Sequence, residues 1–459
     1  MLNRLLREAV VAQLAPAGRV LFSFGFWNSF DESDWSRALD WLDESGLALY
    51  FLHNVKAVKM FAGLPSYVRT RLARSLEENC LRVDSIRKES AILNSLFDDA
   101  GVQYAILKGL ALVPDYCPDP TLRTQYDHDY LIRLDALARA EAALLEAGYQ
   151  PRVSREGHHI GYYRSVPEVI YHTKTIGLYS AMLQRPVELH VRLWENTEDR
   201  IDIALPDDFM HRLRNRSVLG LEYPALCDED GLIFQVLHAF RHILRNWCRL
   251  AVFFEISYFL QQRALDSDFW ARYQERAANL RWVPEASSVV FGLTRKLFGA
   301  SIPAKLKTQI NPKFSATVDR WIELYGLPGA LANFRNNKNS LFLHRQFVED
   351  QSIWAEVRRR RLIPFRWPHR VPGVLIHRGT SNLARRLTQY LHCIRRLKFH
   401  AVSAIRYAWE CPRWQILRKM RTPDELEQGS ARVGTGSRNS ELSLEPVVTQ
   451  FRKISVFRD

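Results

Sequence analysis

The sequence predicts an α+β fold in which a small mixed β-sheet is embedded in a largely helical protein. Three observations lead there. Most of the chain spaces its apolar residues as amphipathic helices do. Between Val102 and Leu193 that pattern gives way to short apolar runs bounded by Gly, Pro and Asp. Within that stretch an Ala-rich helical segment separates two of the runs, the order that a sheet with crossover helices requires. At 459 residues, 47% hydrophobic and 25% charged, the chain is long enough for two or three domains and a substantial core.

Residues 1–100 read as an N-terminal helical region. Ser33-Asp34-Trp35 starts a helix running to Leu47, and Pro65 to Phe97 carries apolar residues at helical spacing with acids and bases between them. Trp27, Trp35 and Trp41 are assigned to packing. Residues 101–200 form the sheet-bearing core. Val102 to Leu107 is its first buried strand, and Lys108-Gly109 turns into a short helix from Leu110. A glycine there lets backbone approach a phosphate closely, and the lysine ammonium with the helix-start N–H groups favours an anion. Cys117-Pro118-Asp119-Pro120 must be loop, because two prolines forbid regular pairing. Arg123 either reaches a phosphate or pins this loop by pairing with Asp119 or Asp127.

The chemistry concentrates at Asp127-His128-Asp129. On a strand, residues two apart share a face, so the two aspartates project together while His128 turns into the far layer. Two carboxylates so close repel unless a proton or cation lies between them, and Mg²⁺ with phosphate oxygens is one solution. Asp135 then caps a helix over Ala136 to Ala147, closed by Gly148. Further strands are expected at Tyr149 to Val153, His159 to Tyr163, Glu168 to His172 and Pro186 to Leu193. On the last, Glu188 and His190 share a face. If it lies beside Asp127 to Ile132, three carboxylates converge, enough for two metal ions. His190 is a poor Mg²⁺ ligand and is assigned a contact to substrate or to the liganding acids. His158, His159 and His172 lack zinc spacing and are taken as structural or substrate-facing.

Residues 201–355 are expected to be a helical domain. His238 and His242 fall four apart on one helix face, and two roles stay open: contact with nucleotide or acceptor, or packing with Glu255. Asn336 to Asn339 reads as a polar turn. Residues 356–421 form a basic helical region with helices at Ser381 to Leu397 and Ala401 to Arg421, after a linker around Pro364 to Pro372. Residues 422–459 read as a largely disordered tail. From Glu356 onward 22 Lys and Arg face eight Asp and Glu, so this part carries the whole net charge of +14. Such a surface suits an anionic partner, nucleic acid or membrane surface, or is a solvated basic face. No apolar run is long enough to span a bilayer and no signal-peptide pattern opens the chain, which points to a cytoplasmic protein, peripheral to the membrane at most. The six cysteines are scattered without a Cys-x-x-Cys pair, as expected for reduced, mostly buried thiols.

The stretch from Leu107-Lys108-Gly109 through Arg123 to Asp127-x-Asp129, with the following Ala-rich helix and Val187-Glu188-Leu189-His190, resembles the core of the nucleotidyltransferase superfamily that includes DNA polymerase beta. More narrowly it is similar to the bacterial family of uncharacterised nucleotidyltransferases, over roughly Leu93 to Leu260. The superfamily's usual Gly or Ser after the turn glycine is Leu110 here. The aliphatic residue between the acids is His128, and Glu255 stands where an aspartate is expected. The resemblance implies an Mg²⁺-dependent transferase that moves a nucleoside monophosphate from an NTP to an acceptor hydroxyl. Asp127, Asp129 and Glu188 would be its catalytic metal ligands, and Lys108, Gly109 and Arg123 its nucleotide-binding residues. An acceptor that is itself a protein, as for toxin-neutralising members, is a variant of the same activity. The alternative is a non-catalytic binding protein on this fold, acting through its basic C-terminal helices on nucleic acid or membrane.

Overall fold

The computed structural model describes residues 2–15, 22–151, 159–164, 178–181, 185–247, 249–303, 306, 310–332, 337–363 and 382–418. The expected strand at Glu168 to His172, His158, Cys248, Asn336, the Pro364 to Pro372 linker and the tail from Thr422 lie outside them. The chain opens as helices α1 (Leu2–Leu14), α2 (Phe24–Asn28), α3 (Glu32–Ser45), α4 (Ala48–Ala57) and α5 (Ser66–Asp99). Asp31 starts α3 by accepting a hydrogen bond from the Asp34 N–H, and Gly46 ends it in the left-handed conformation, φ 76°. Trp27, Trp35 and Trp41 are buried, and the indole N–H groups of Trp35 and Trp41 donate to the carbonyls of Trp27 and Leu331. They are packing residues, as expected.

The sheet is built from β1 (Tyr104–Ile106), β2 (His128–Ile132), β3 (Tyr149–Pro151), β4 (His159–Arg164), β5 (Val187–His190), β6 (Leu213–Val218) and β7 (Leu221–Leu226), in the order β3-β4-β5-β2-β1-β7-β6. β2 runs antiparallel to β1 and parallel to β5, while β1 runs parallel to β7, so the sheet is mixed. α6 (Leu137–Glu146) follows β2. Asp135 does not cap it: its carboxylate takes the Arg133 guanidinium instead, and Ala136 stands at the cap without a side-chain hydrogen bond. The β6–β7 hairpin falls where helix was expected. Leu219 and Gly220 both have positive φ, 52° and 72°, which makes a two-residue turn matched to strand twist. Arg214, Asn215, Arg216 and Ser217 give β6 no apolar alternation to read.

Both faces of the sheet are covered. On one, Phe97 of α5 packs against Tyr104 and Tyr130 with ring centroids 5.7 and 5.0 Å away. On the other, Phe234 of α7 (Asp228–Leu244) joins Ala105, Leu107 and Leu131 in a second apolar cluster. The remaining helices are α8 (Leu250–Gln262), α9 (Ser267–Ala278), α10 (Val283–Phe298), α11 (Pro312–Trp321), α12 (Leu327–Leu331), α13 (Ser340–His344), α14 (Gln351–Leu362) and α15 (Asn382–Leu417). α15 replaces the two basic helices expected, because Leu397-Lys398-Phe399-His400-Ala401 contains no breaker. Residues Met1–Trp414 form one unit. The chain from Gln415 groups separately, and of it the structure describes residues 415–418. Among the described residues no helix is long and apolar enough to cross a membrane. The described cysteines are free thiols, but only Cys117 is fully buried and Cys80 is exposed, which corrects the expectation of mostly buried thiols.

Candidate active site

Parallel pairing of β2 with β5 sets Asp129 directly beside Glu188 and Leu131 beside His190. Alternation along each strand then places Asp129, Glu188 and His190 on the α7 side. His128 and Tyr130 face α5, where His128 Nε2 lies 2.9 Å from Glu89 Oε2 and the Tyr130 hydroxyl donates to Asn94 Oδ1 at 3.0 Å. The far-layer orientation expected for His128 is what the strand adopts.

At the centre is Asp129, 2% exposed. The Lys108 Nζ lies 2.7 Å from its Oδ1, and His190 Nε2 lies 2.8 Å from the same oxygen and 3.8 Å from Glu188 Oε2. Its other oxygen, Oδ2, is buried without a hydrogen-bond partner. Burial works to raise the Asp129 carboxyl, but the Lys108 ammonium and the His190 contact outweigh it and hold the group well below the usual carboxylate range. For Asp127, burial first and the neighbouring Asp129 charge second push the carboxyl up, against Lys108 and Arg123. Burial opposes the charged form of Lys108 too, yet Asp129, Asp127 and Glu188 together keep that ammonium above its ordinary value. Burial holds His190 below its ordinary value in spite of Asp129.

The loop that presents the acids is pinned from α5. The Asn79 amide donates to the carbonyls of Thr121 and Arg123. Arg82, 0% exposed, donates to the Gln125 carbonyl from Nε at 3.0 Å and to the Leu178 and Ser180 carbonyls at 3.0 and 3.2 Å. The Gln125 amide then donates to the Asp127 carbonyl at 2.7 Å. This amide sits where a side chain at position 109 would begin: a Cβ there would be 2.2 Å from Gln125 Oε1, and Gly109 has φ 67°. Gly109 therefore accommodates Gln125 in addition to any phosphate. Arg82 and Gln125 were not singled out from the sequence, and an arginine between apolar helix positions carries no local signal of a buried role.

Arg123 pairs with neither Asp119 nor Asp127. Its Nε donates to Glu255 Oε1 at 3.0 Å, where the Tyr50 hydroxyl also donates at 2.9 Å, while Asp119 accepts from the Thr121 N–H at 2.8 Å. Among the described residues neither α7 histidine pairs with Glu255, which corrects that pairing, one of the two roles left open for them. His238 and His242 contact each other instead, Nε2 to Nε2 at 3.1 Å. One nitrogen must donate and the other accept, so at least one ring is neutral at that atom. Burial holds His238 well below its ordinary value, with His242 and Lys108 adding to it and Asp129 opposing. Burial, then the surrounding cations, takes His242 to about 3. Trp247, 57% exposed, packs edge-on against His242 at 4.7 Å. The histidine pair thus leads from the buried acids toward the surface.

Among the described residues, Asp129, Glu188 and His190 form the group whose ligand atoms lie within 4.8 Å of one another. The donor chemistry fits a hard divalent cation. Lys108 contacts Asp129 and feels the charges of Asp127 and Glu188, Arg123 is engaged by Glu255, and Asp129 Oδ2 lacks a hydrogen-bond partner. A sequence model of the family described as "uncharacterised nucleotidyltransferase" matches residues 31–299. No curated protein and no solved structure matches the chain.

Proposed function

The chain belongs to the family of uncharacterised nucleotidyltransferases, and from that premise we propose that it is an Mg²⁺-dependent enzyme transferring a nucleoside monophosphate from an NTP to an acceptor hydroxyl. The observation that carries the proposal is the pairing of Asp129 with Glu188 across β2 and β5, with Asp129 Oδ2 buried and unpartnered. In this reading Asp127, Asp129 and Glu188 are the ligands of two ions. Mg²⁺ held there supplies neutralisation of the charge that develops on the departing pyrophosphate.

The chain's own groups do the rest. Lys108, kept charged by the acids around it, exchanges its Asp129 contact for phosphate oxygens, and the backbone at Gly109 lies beside it. Arg123, oriented by Glu255, adds a guanidinium on the same loop. His190 fixes the orientation of Asp129 through Oδ1. The acceptor oxygen attacks the α-phosphorus in line, the bond from that phosphorus to the bridging oxygen breaks, and pyrophosphate leaves. In this reading Glu188 receives the acceptor's proton, a role supported by its side chain being 19% exposed against 1% for Asp129.

The test is calorimetric titration with a non-hydrolysable NTP analogue, with and without Mg²⁺, on wild type and Asp129→Asn, followed by turnover assays. Mg²⁺-dependent binding in wild type and loss of turnover by at least ~100-fold in the variant is expected, since removing one carboxylate removes a metal ligand. Full turnover in a folded Asp129→Asn protein would end the metal assignment.

A further inference from the structure

Away from the catalytic acids, a cleft of about 880 Å³ opens between the end of α7, the last turn of α14 and the middle of α15. Among the described residues Arg245, Lys338, Arg359, Arg360, Arg361, Arg395 and Arg396 line it, and Glu198 and Asp199 are the carboxylates there. Those two acids are already taken: Arg245 lies 2.8 Å from Glu198 and 3.3 Å from Asp199. Arg360 is paired with Glu356. Lys338 is the unusual member. It is 4% exposed, and its Nζ donates to the Arg361 carbonyl at 2.6 Å and touches His400 Nδ1 at 3.2 Å. Among the described residues neither Lys338 nor Arg361, Arg395 or Arg396 has a carboxylate in ion-pair range; the Arg361 guanidinium donates to the Leu244 carbonyl.

Lys338 is a buried ammonium without a carboxylate in range among the described residues, which is costly, and a perturbed cation of this kind facing a cleft marks a candidate ligand site. We propose that this cleft is an anion site for a ligand bearing two or more phosphate groups, held between the Arg359–Arg361 run of α14 and the Arg395–Arg396 pair of α15. A single phosphate is too small for the space and for cations on two walls. A guanidinium fork takes two oxygens of a phosphate or of a carboxylate, and of these a chain of phosphates concentrates the most charge in one ligand, which suits a cleft with cations on two walls. Burial, then Arg361 and Arg396, pushes Lys338 down to about 7, a strain that a bound polyanion relieves. The site does not depend on the transferase reading.

Two probes distinguish the sources of such a ligand: inorganic tripolyphosphate and a fluorescent single-stranded oligoribonucleotide, each titrated at low and moderate salt. Wild type is expected to bind at least one of them saturably. Arg395→Glu with Arg396→Glu, both solvent-exposed and hence compatible with folding, weakens it by about tenfold or more and flattens the salt dependence of oligonucleotide binding. Lys338→Met, which keeps the aliphatic stem, gives a second weakened variant. The same charge reversal leaves Mg²⁺-dependent binding of the NTP analogue unchanged, which separates this cleft from the catalytic acids. Preference for tripolyphosphate identifies a compact polyphosphate ligand, and preference for the strand a nucleic-acid one. No saturable binding of either probe, binding indifferent to the charge reversal, or loss of NTP-analogue binding along with it overturns the proposal.

Discussion

Asp129 shows how one residue's state is decided by its neighbours. Burial alone would favour a neutral carboxyl, yet Lys108 and His190 act on one oxygen and keep the group ionised, while Asp127 beside it is driven the opposite way. A pair whose members are pushed apart is suited to metal binding and proton transfer together. The α7 histidines follow simpler physics. His242 stays neutral in the fold to about pH 3, whereas an unfolded histidine takes up its proton near pH 6.5. Between those values the unfolded chain binds more protons, so this contribution to stability is complete above pH 6.5 and is lost as pH falls toward 3. Thermal unfolding of wild type and His242→Gln across that window should show a shallower acid limb in the variant. Parallel limbs would mean that His242 is not held neutral by the fold.

At the scale of elements, α5 is the support on which the site rests. It covers the sheet with Phe97, engages His128 through Glu89, and holds the loop before β2 through Asn79 and Arg82. Arg82→Met leaves the Gln125, Leu178 and Ser180 carbonyls without their donor. It is expected to destabilise the protein by about 3 kcal/mol and to lower NTP turnover in the fraction that remains folded. Urea unfolding and a turnover assay on the same preparation check both; wild-type values in each would show that the loop needs no anchor. Helices α3 and α5 were legible because helical spacing is local, and so were β1, β2 and β5 as apolar runs. The β6–β7 hairpin was not, since β6 is an edge strand, half-buried or exposed with Val218 its one buried residue, and such a strand needs no apolar alternation.

Across the molecule, distant segments close on one another. Trp41 of α3 donates to the Leu331 carbonyl of α12, and Tyr407 and Trp414 of α15 stack on Phe342 of α13 at 4.8 and 5.5 Å. The basic C-terminal region is therefore anchored through its aromatic face up to Trp414. Trp414→Ala removes a side chain that is 2% exposed and is expected to cost about 3–5 kcal/mol, seen as a lower unfolding midpoint. An unchanged midpoint would mean that α15 contributes nothing to that unit. From the sequence alone came the α+β class and the family resemblance, carried by motifs such as Lys108-Gly109 and Asp127-x-Asp129. Each such motif is a matter of short-range spacing, adjacent residues at a turn or residues two apart on a strand, whereas the meeting of Glu188 with Asp129 waited on the pairing of β2 with β5. Tertiary structure alone decided which charges meet: Arg123 with Glu255, Lys108 and His190 with Asp129, and the cations at 338, 359–361 and 395–396 around one cleft. Their separation along the chain leaves no periodicity to read, because an electrostatic contact is set by where packing brings two groups and not by the number of residues between them.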